Sequence, residues 1–136
     1  MKIYSILGVI VAFFLMSNSG CIKRRNEVVA GKGGQNVLLI FPQHHLVANN
    51  LIQIKSYIKY NTLDLPSNGQ YDDSATGSRN SSYPDVFATF NELQPGNYYI
   101  YVTGYDTSVR QNIKGGISFS LPDNASPTSV IVPVSE

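Results

Sequence analysis

Residues 98 to 103 read Tyr-Tyr-Ile-Tyr-Val-Thr, an unbroken run of types that favour extended backbone. β-Branched and aromatic side chains lose χ1 freedom in a helix but fit a pleated sheet. The run therefore predicts a strand, and its alternation predicts two chemically different faces. Tyr98, Ile100 and Val102 share one face; Tyr99 and Tyr101 take the other. One strand has no independent stability, so the rest of the chain must supply its partners.

Several segments qualify. Val37 to Phe41 is a short apolar run ended by Pro42, as expected of a strand buried on both faces. Leu51 to Tyr60 fits two templates. Ile52, Ile54, Ser56, Ile58 and Tyr60 alternate with Gln53, Lys55, Tyr57 and Lys59, whereas Val47, Leu51, Ile54 and Ile58 trace a helical stripe. The β-branched and aromatic content, with Asn49-Asn50 as a turn before it, favours a strand. Val86 to Phe90 is another. Pro95-Gly96 then centres a turn over Asn91 to Asn97, proline presetting φ and glycine accepting positive φ. Gly115-Gly116 opens a strand with Ile117, Phe119 and Leu121 on one face, and Val130 to Val134 closes the set. Asp64 to Pro84 is rich in Ser, Asn, Gly, Asp and Pro and reads as a long loop. The expectation is all-β: a small antiparallel β-sandwich of six or seven strands over residues 36–136, without a helix.

Charge and cysteine narrow the remaining choices. Ten Lys and Arg oppose nine Asp and Glu, and removal of Lys2 with a leader would leave nine of each. Such balance offers no field for nucleic acid. The single cysteine, Cys21, leaves no pair for a disulfide, so a hydrophobic core must hold the fold.

Cys21 follows Lys2, an apolar run from Ile6 to Met16, and Ser17-Asn18-Ser19-Gly20. A cationic start, a short apolar middle and a small-residue exit describe a secretory signal, here residues 1–20. With the cysteine placed after them, they resemble the lipobox of bacterial lipoproteins, although Asn18 stands where Leu is usual. That resemblance implies acylation of Cys21 and attachment to a membrane through the acyl chains. Residues 21–35 then read as a tether. Lys23-Arg24-Arg25 suits anionic head groups, and Gly31-Lys32-Gly33-Gly34 suits a flexible spacer. The residue after Cys21 is Ile22, not the Asp of inner-membrane retention, which points to the outer membrane and leaves the leaflet open.

Phe90-Asn91-Glu92-Leu93-Gln94-Pro95-Gly96-Asn97-Tyr98 resembles the F-x-x-L-x-P-G-x-Y hairpin of prealbumin-like (transthyretin-like, carboxypeptidase regulatory-like) sandwiches. The chain beyond Cys21 is also similar to small Gram-negative bacterial lipoproteins. The segments that carry this likeness are Gly31 to Gly34, His44-His45, Ile58 to Tyr60, Tyr71 to Asp73 and Asn112 to Gly116. These resemblances imply a fold and an address; a fold does not define an activity.

Three groups of residues carry candidate chemistry. Tyr57, Tyr99 and Tyr101 form a candidate ligand-binding row on a solvent face, since phenol rings stack on sugars and recur in recognition surfaces. His44 and His45 are candidate metal ligands, with Asp72, Asp73 or Asp106 as partners brought in by the fold. Neighbours on an extended segment point to opposite sides, however, which argues against one shared ion and for a polar turn. Ser74, in Asp73-Ser74-Ala75, resembles a bacterial O-glycosylation acceptor. The chain has no Gly-x-Ser-x-Gly elbow, phosphate loop or Cys–His pair. It also lacks the His-Arg-His set and terminal Tyr-Arg-Gly-Ser of transthyretin-like hydroxyisourate hydrolases. The expectation is a non-enzymatic interaction or accessory module of the envelope without a cofactor, whose partner is an envelope protein or a glycan. The alternatives are a carbohydrate-binding lipoprotein using Tyr57, Tyr99 and Tyr101, and, more remotely, a metal-dependent enzyme built around His44, His45 and the loop aspartates.

Overall fold

The computed structural model describes residues 29–124 and 126–136. The expected signal peptide, Cys21 and the basic start of the tether lie outside the described residues. Seven strands make two sheets, and no helix occurs among the described residues. One sheet has the order β4-β1-β7, formed by Ala88–Leu93, Lys32–Gln43 and Thr128–Pro133. The other has the order β3-β2-β5-β6, formed by Asp73–Thr76, Leu51–Tyr60, Gly96–Asp106 and Gln111–Leu121. All pairings are antiparallel except β1 with β7, which run parallel. The molecule is a small β-sandwich.

The core lies between the sheets. Leu38, Ile40, Ala88, Phe90 and Val132 meet Ile54, Ile58, Tyr98, Ile100, Val102, Ile113 and Leu121. Strand β5 alternates as its sequence predicts: Tyr98, Ile100 and Val102 are buried, while Tyr99 and Tyr101 face outward, half-exposed. Strand β2 does not alternate throughout. Gln53 has φ of 52°, and the register with β5 shifts between Ile52 and Lys55. This bulge inserts one residue, so inward positions run Leu51, Ile54, Ser56, Ile58. The three-residue step from Leu51 to Ile54 produces the helical stripe in the sequence. It also turns Ile52 outward, against the expectation that it shares a face with Ile54.

Three further expectations are corrected. Gly31 to Gly34 is not a free spacer: β1 begins at Lys32, Ala30 is buried in the core, and the sandwich starts before residue 36. A Cβ on Gly34 would sit 2.0 Å from the Leu93 carbonyl oxygen, so this glycine permits close backbone approach. Pro42 does not end β1, which continues to Gln43. The Gln43 carbonyl faces the β7 side, where it accepts from Val134 N. Pro42 therefore faces the other side, where the pairing with β4 has ended at Ile40, and no ladder bond needs its missing N–H. The long loop is not wholly irregular: Asp73–Thr76 pairs with β2 as an edge strand, and Ser78 bridges Phe87.

The Phe90 to Tyr98 segment is not a hairpin, because β4 and β5 belong to different sheets. It is a corner between layers. Phe90 and Leu93 fill the core on one side and Tyr98 on the other. Gly96, at φ of 142°, makes the change of direction. The buried Tyr98 hydroxyl donates to the Gln94 carbonyl at 2.6 Å and accepts from Gly31 N at 3.0 Å. Tyr60 packs edge-on against the same ring, with centroids 5.7 Å apart. Tyr98→Phe should therefore cost about 1–2 kcal/mol, measured by urea unfolding, with little change in slope.

Candidate functional site

The outer face of the four-stranded sheet is built from cross-strand rows. Ser74, Tyr57, Tyr101 and Gly116 stand opposite one another, one from each strand; Lys59, Tyr99 and Ser118 form the next row. Residues directly opposite project to the same side, so Tyr57 and Tyr101 meet with ring centroids 6.4 Å apart. Residues 61–72 cross this face. Asn61 is tied to Ala30 through both ends of its side-chain amide, and the Ser118 hydroxyl donates to the Leu63 carbonyl. At the return, Asp72 N donates to the Ile58 carbonyl, while its carboxylate accepts from Tyr60 N at 2.7 Å and Lys59 Nζ at 2.9 Å.

This anchorage delivers Tyr71, which the sequence reading placed in a resemblance segment but not among the candidate ligand-binding residues. Its ring lies 5.6 Å from Tyr101 and inclined by only 11°, and 5.3 Å from Tyr57. Burial, then the neighbouring Tyr101, Tyr99 and Tyr57, push the Tyr71 phenol above its ordinary pKa. The hydroxyl is thus a neutral donor and acceptor at any physiological pH. Lys55 Nζ stands 5.1 Å above the Tyr57 ring. A groove of about 550 Å³ runs between these rings and residues Leu65 to Gly69. That volume lies within the roughly 300–1,000 Å³ usual for small-ligand clefts. Tyr99 shares the face but not the groove lining. Its ring leans over Gly116, where a Cβ would lie 2.6 Å from the Tyr99 hydroxyl. Ser74 is exposed beside Tyr57, on the edge strand β3. The expected row is therefore a cluster of Tyr57, Tyr71 and Tyr101, with Tyr99 to one side.

The histidines form a second constellation. The segment from His44 to Val47 is a tight turn, with hydrogen bonds both ways between the two ends at 2.9 and 3.0 Å. His45 and Leu46 have φ of 49° and 65°, the signature of a type I′ turn. The sequence argument that adjacent histidines diverge assumed extended backbone. The left-handed turn instead brings the two rings to 4.0 Å between centroids. His44 is buried at 2 % exposure, and its Nδ1 lies 2.7 Å from Asp106 Oδ2. Asp106 also accepts from the Ser108 hydroxyl at 2.5 Å and Ser108 N at 2.7 Å. The Ser108 hydroxyl, then His44, hold the Asp106 carboxyl down at about 2. Asp106 is thus ionised and has no proton to give, so His44 Nδ1–H is the donor. Of the expected partners only Asp106 pairs with a histidine: Asp72 binds Lys59, and Asp73 binds Lys32 at 2.8 Å.

Glu136, also missed in the sequence, reaches both rings. Its Oε1 is 3.5 Å from His44 Nε2 and 3.7 Å from His45 Nε2. Ser135 bridges Lys114 of β6 and sets this position. No local signal links residue 136 to residues 44 and 45; the link depends on β1 and β7 lying side by side. Comparison of the chain with protein-family models, with curated proteins and with solved structures found no match.

Proposed function

We propose that this chain is a lipid-anchored, non-enzymatic binding module of the cell envelope whose tyrosine face takes carbohydrate. The observation that carries this reading is the half-exposed cluster in which Tyr71 lies nearly parallel to Tyr101 beside Tyr57. Flat aromatic faces match the apolar C–H faces of sugar rings, and neutral phenol hydroxyls hydrogen-bond sugar hydroxyls. The rings are held in place before any ligand arrives, by the sheet beneath and by Asp72 at the loop base, so little ordering entropy opposes binding. The signal-like start and Cys21 support attachment by acyl chains in the outer membrane. The burial of Phe90, Leu93 and Tyr98 around Pro95-Gly96 supports a prealbumin-like form of the sandwich.

The purified chain in detergent, applied to a glycan array, should bind a restricted set of glycans. Tyr71→Ala and Tyr101→Ala should each weaken binding by about 30-fold, equivalent to roughly 2 kcal/mol for an aromatic anchor. Uniform silence across the array, or binding untouched by both variants, overturns the sugar reading and leaves an envelope protein as the partner to seek by crosslinking in cells. Mass spectrometry of the chain from membranes should find acyl groups on Cys21; a bare thiol overturns the anchor.

A further inference from the structure

We infer that His44, His45 and Glu136 form a binding site for a divalent transition-metal ion of the zinc class. It shares no residue with the tyrosine face and does not depend on that reading.

The first argument is the position of His44. Its Nδ1 is engaged by Asp106 at 2.7 Å, which leaves Nε2 as the ring nitrogen turned toward Glu136. That atom is buried and has no hydrogen-bond partner. An unpartnered buried polar atom is costly, and native proteins rarely keep one without a use. A carboxylate on one nitrogen of a histidine also fixes the tautomer and ring orientation that present the other nitrogen to a metal. Asp106, itself fixed by Ser108, is placed to do this.

The second argument is spacing. At 3.5 and 3.7 Å, Glu136 Oε1 is too far from either Nε2 for a good hydrogen bond. Two ligands of one tetrahedral zinc, each about 2.0–2.1 Å from the ion, stand roughly 3.3 Å apart. The observed separations lie just outside that value, within reach of a small side-chain adjustment. Ligand atoms from all three residues lie within 4.8 Å of one another. Two imidazoles and one carboxylate suit zinc, and three protein ligands leave a fourth position open. His45 and Glu136 are exposed on the outer side, so an ion has a path in from solvent.

The third argument is topology. The three ligands come from the turn after β1 and from the segment after β7, joined to β6 by the Lys114–Ser135 bridge. A metal here would clasp the turn after β1 to the segment after β7, which the Ser135 bridge already joins to the other sheet. In a chain that lacks a disulfide framework, such a clasp would add stability to an otherwise small core.

The purified chain in detergent, titrated with zinc chloride by calorimetry, should take up one ion per molecule and melt at a higher temperature. Cobalt(II) should give the intense visible absorption of a four-coordinate site. His45→Ala and Glu136→Gln alter exposed side chains and should leave the circular dichroism spectrum unchanged. Each should weaken zinc more than about 10-fold, since even losing a group that merely orients a ligand costs about 10–100-fold. Cys21, acylated or bare, is common to all three proteins and cancels in the comparison. Absence of saturable zinc binding, or binding that survives either substitution unchanged, overturns the site.

Discussion

Phe90→Ala is expected to cost about 3–5 kcal/mol, a large part of the roughly 5–15 kcal/mol that stabilises a domain of this kind. Phe90 is 2 % exposed and stands opposite Leu38 on the inner face of the three-stranded sheet. It enters the corner where the chain leaves one layer for the other, three residues before the fully buried Leu93. Truncation leaves a void at the point where both layers and the turn converge. Collapse is blocked on one side by the paired backbone of β1 and on the other by Tyr98, whose hydroxyl is tied to Gln94 and Gly31. Thermal denaturation should show the midpoint falling by on the order of 20 °C. A fall of less than about 5 °C would mean that the corner is not central to the core.

Gly115→Ala should have a comparable effect by a different route. A Cβ at Gly115 would lie 2.1 Å from the Pro133 carbonyl oxygen and 2.9 Å from Val134 Cα. Both are backbone atoms, so no rotamer change relieves the clash; the segment after β7 must move. That movement breaks the paired hydrogen bonds between Lys114 and Ser135, at 2.8 and 2.9 Å, and uncovers Val134. The cost should be about 2–3 kcal/mol, as for overpacked cores. The same shift carries Glu136 away from the histidines, so zinc affinity should fall with stability. Hydrogen exchange at the Lys114 and Ser135 amides should rise in the variant. Gly69→Ala is the matched control: its φ is 64° and no atom lies within 4 Å of the added carbon. It should cost about 1 kcal/mol from backbone strain alone and leave both amides protected. Equal behaviour of the two variants would contradict the close-approach account of Gly115.

The two candidate sites were legible to different degrees. Tyr99 and Tyr101 could be placed on an outer face because strict alternation in β5 depends only on neighbours two residues away. Tyr57 followed once Leu51 to Tyr60 was read as a strand. Tyr71 could not be found this way, because its position is set by Asp72 clamping a loop to Tyr60 and Lys59. The histidine pair was misjudged for a definite reason. A type I′ turn usually announces itself by Asn-Gly or Asp-Gly, and His45-Leu46 carries neither. The left-handed backbone there is closed by the two His44–Val47 backbone hydrogen bonds, not by residue preference.

The amino-acid sequence alone determined that this chain makes strands, that β5 has an apolar inner face and an aromatic outer one, and that no disulfide holds it. Those properties follow from side-chain shape and from spacing along a few residues. Only the tertiary structure decided that β4 and β5 lie in different sheets, that β1 runs parallel to β7, and that a bulge at Gln53 turns Ile52 outward. It alone brought His44, Asp106 and Glu136 into one cluster. These outcomes rest on pairings between segments tens of residues apart, where the shared core, and no local preference, selects the partner.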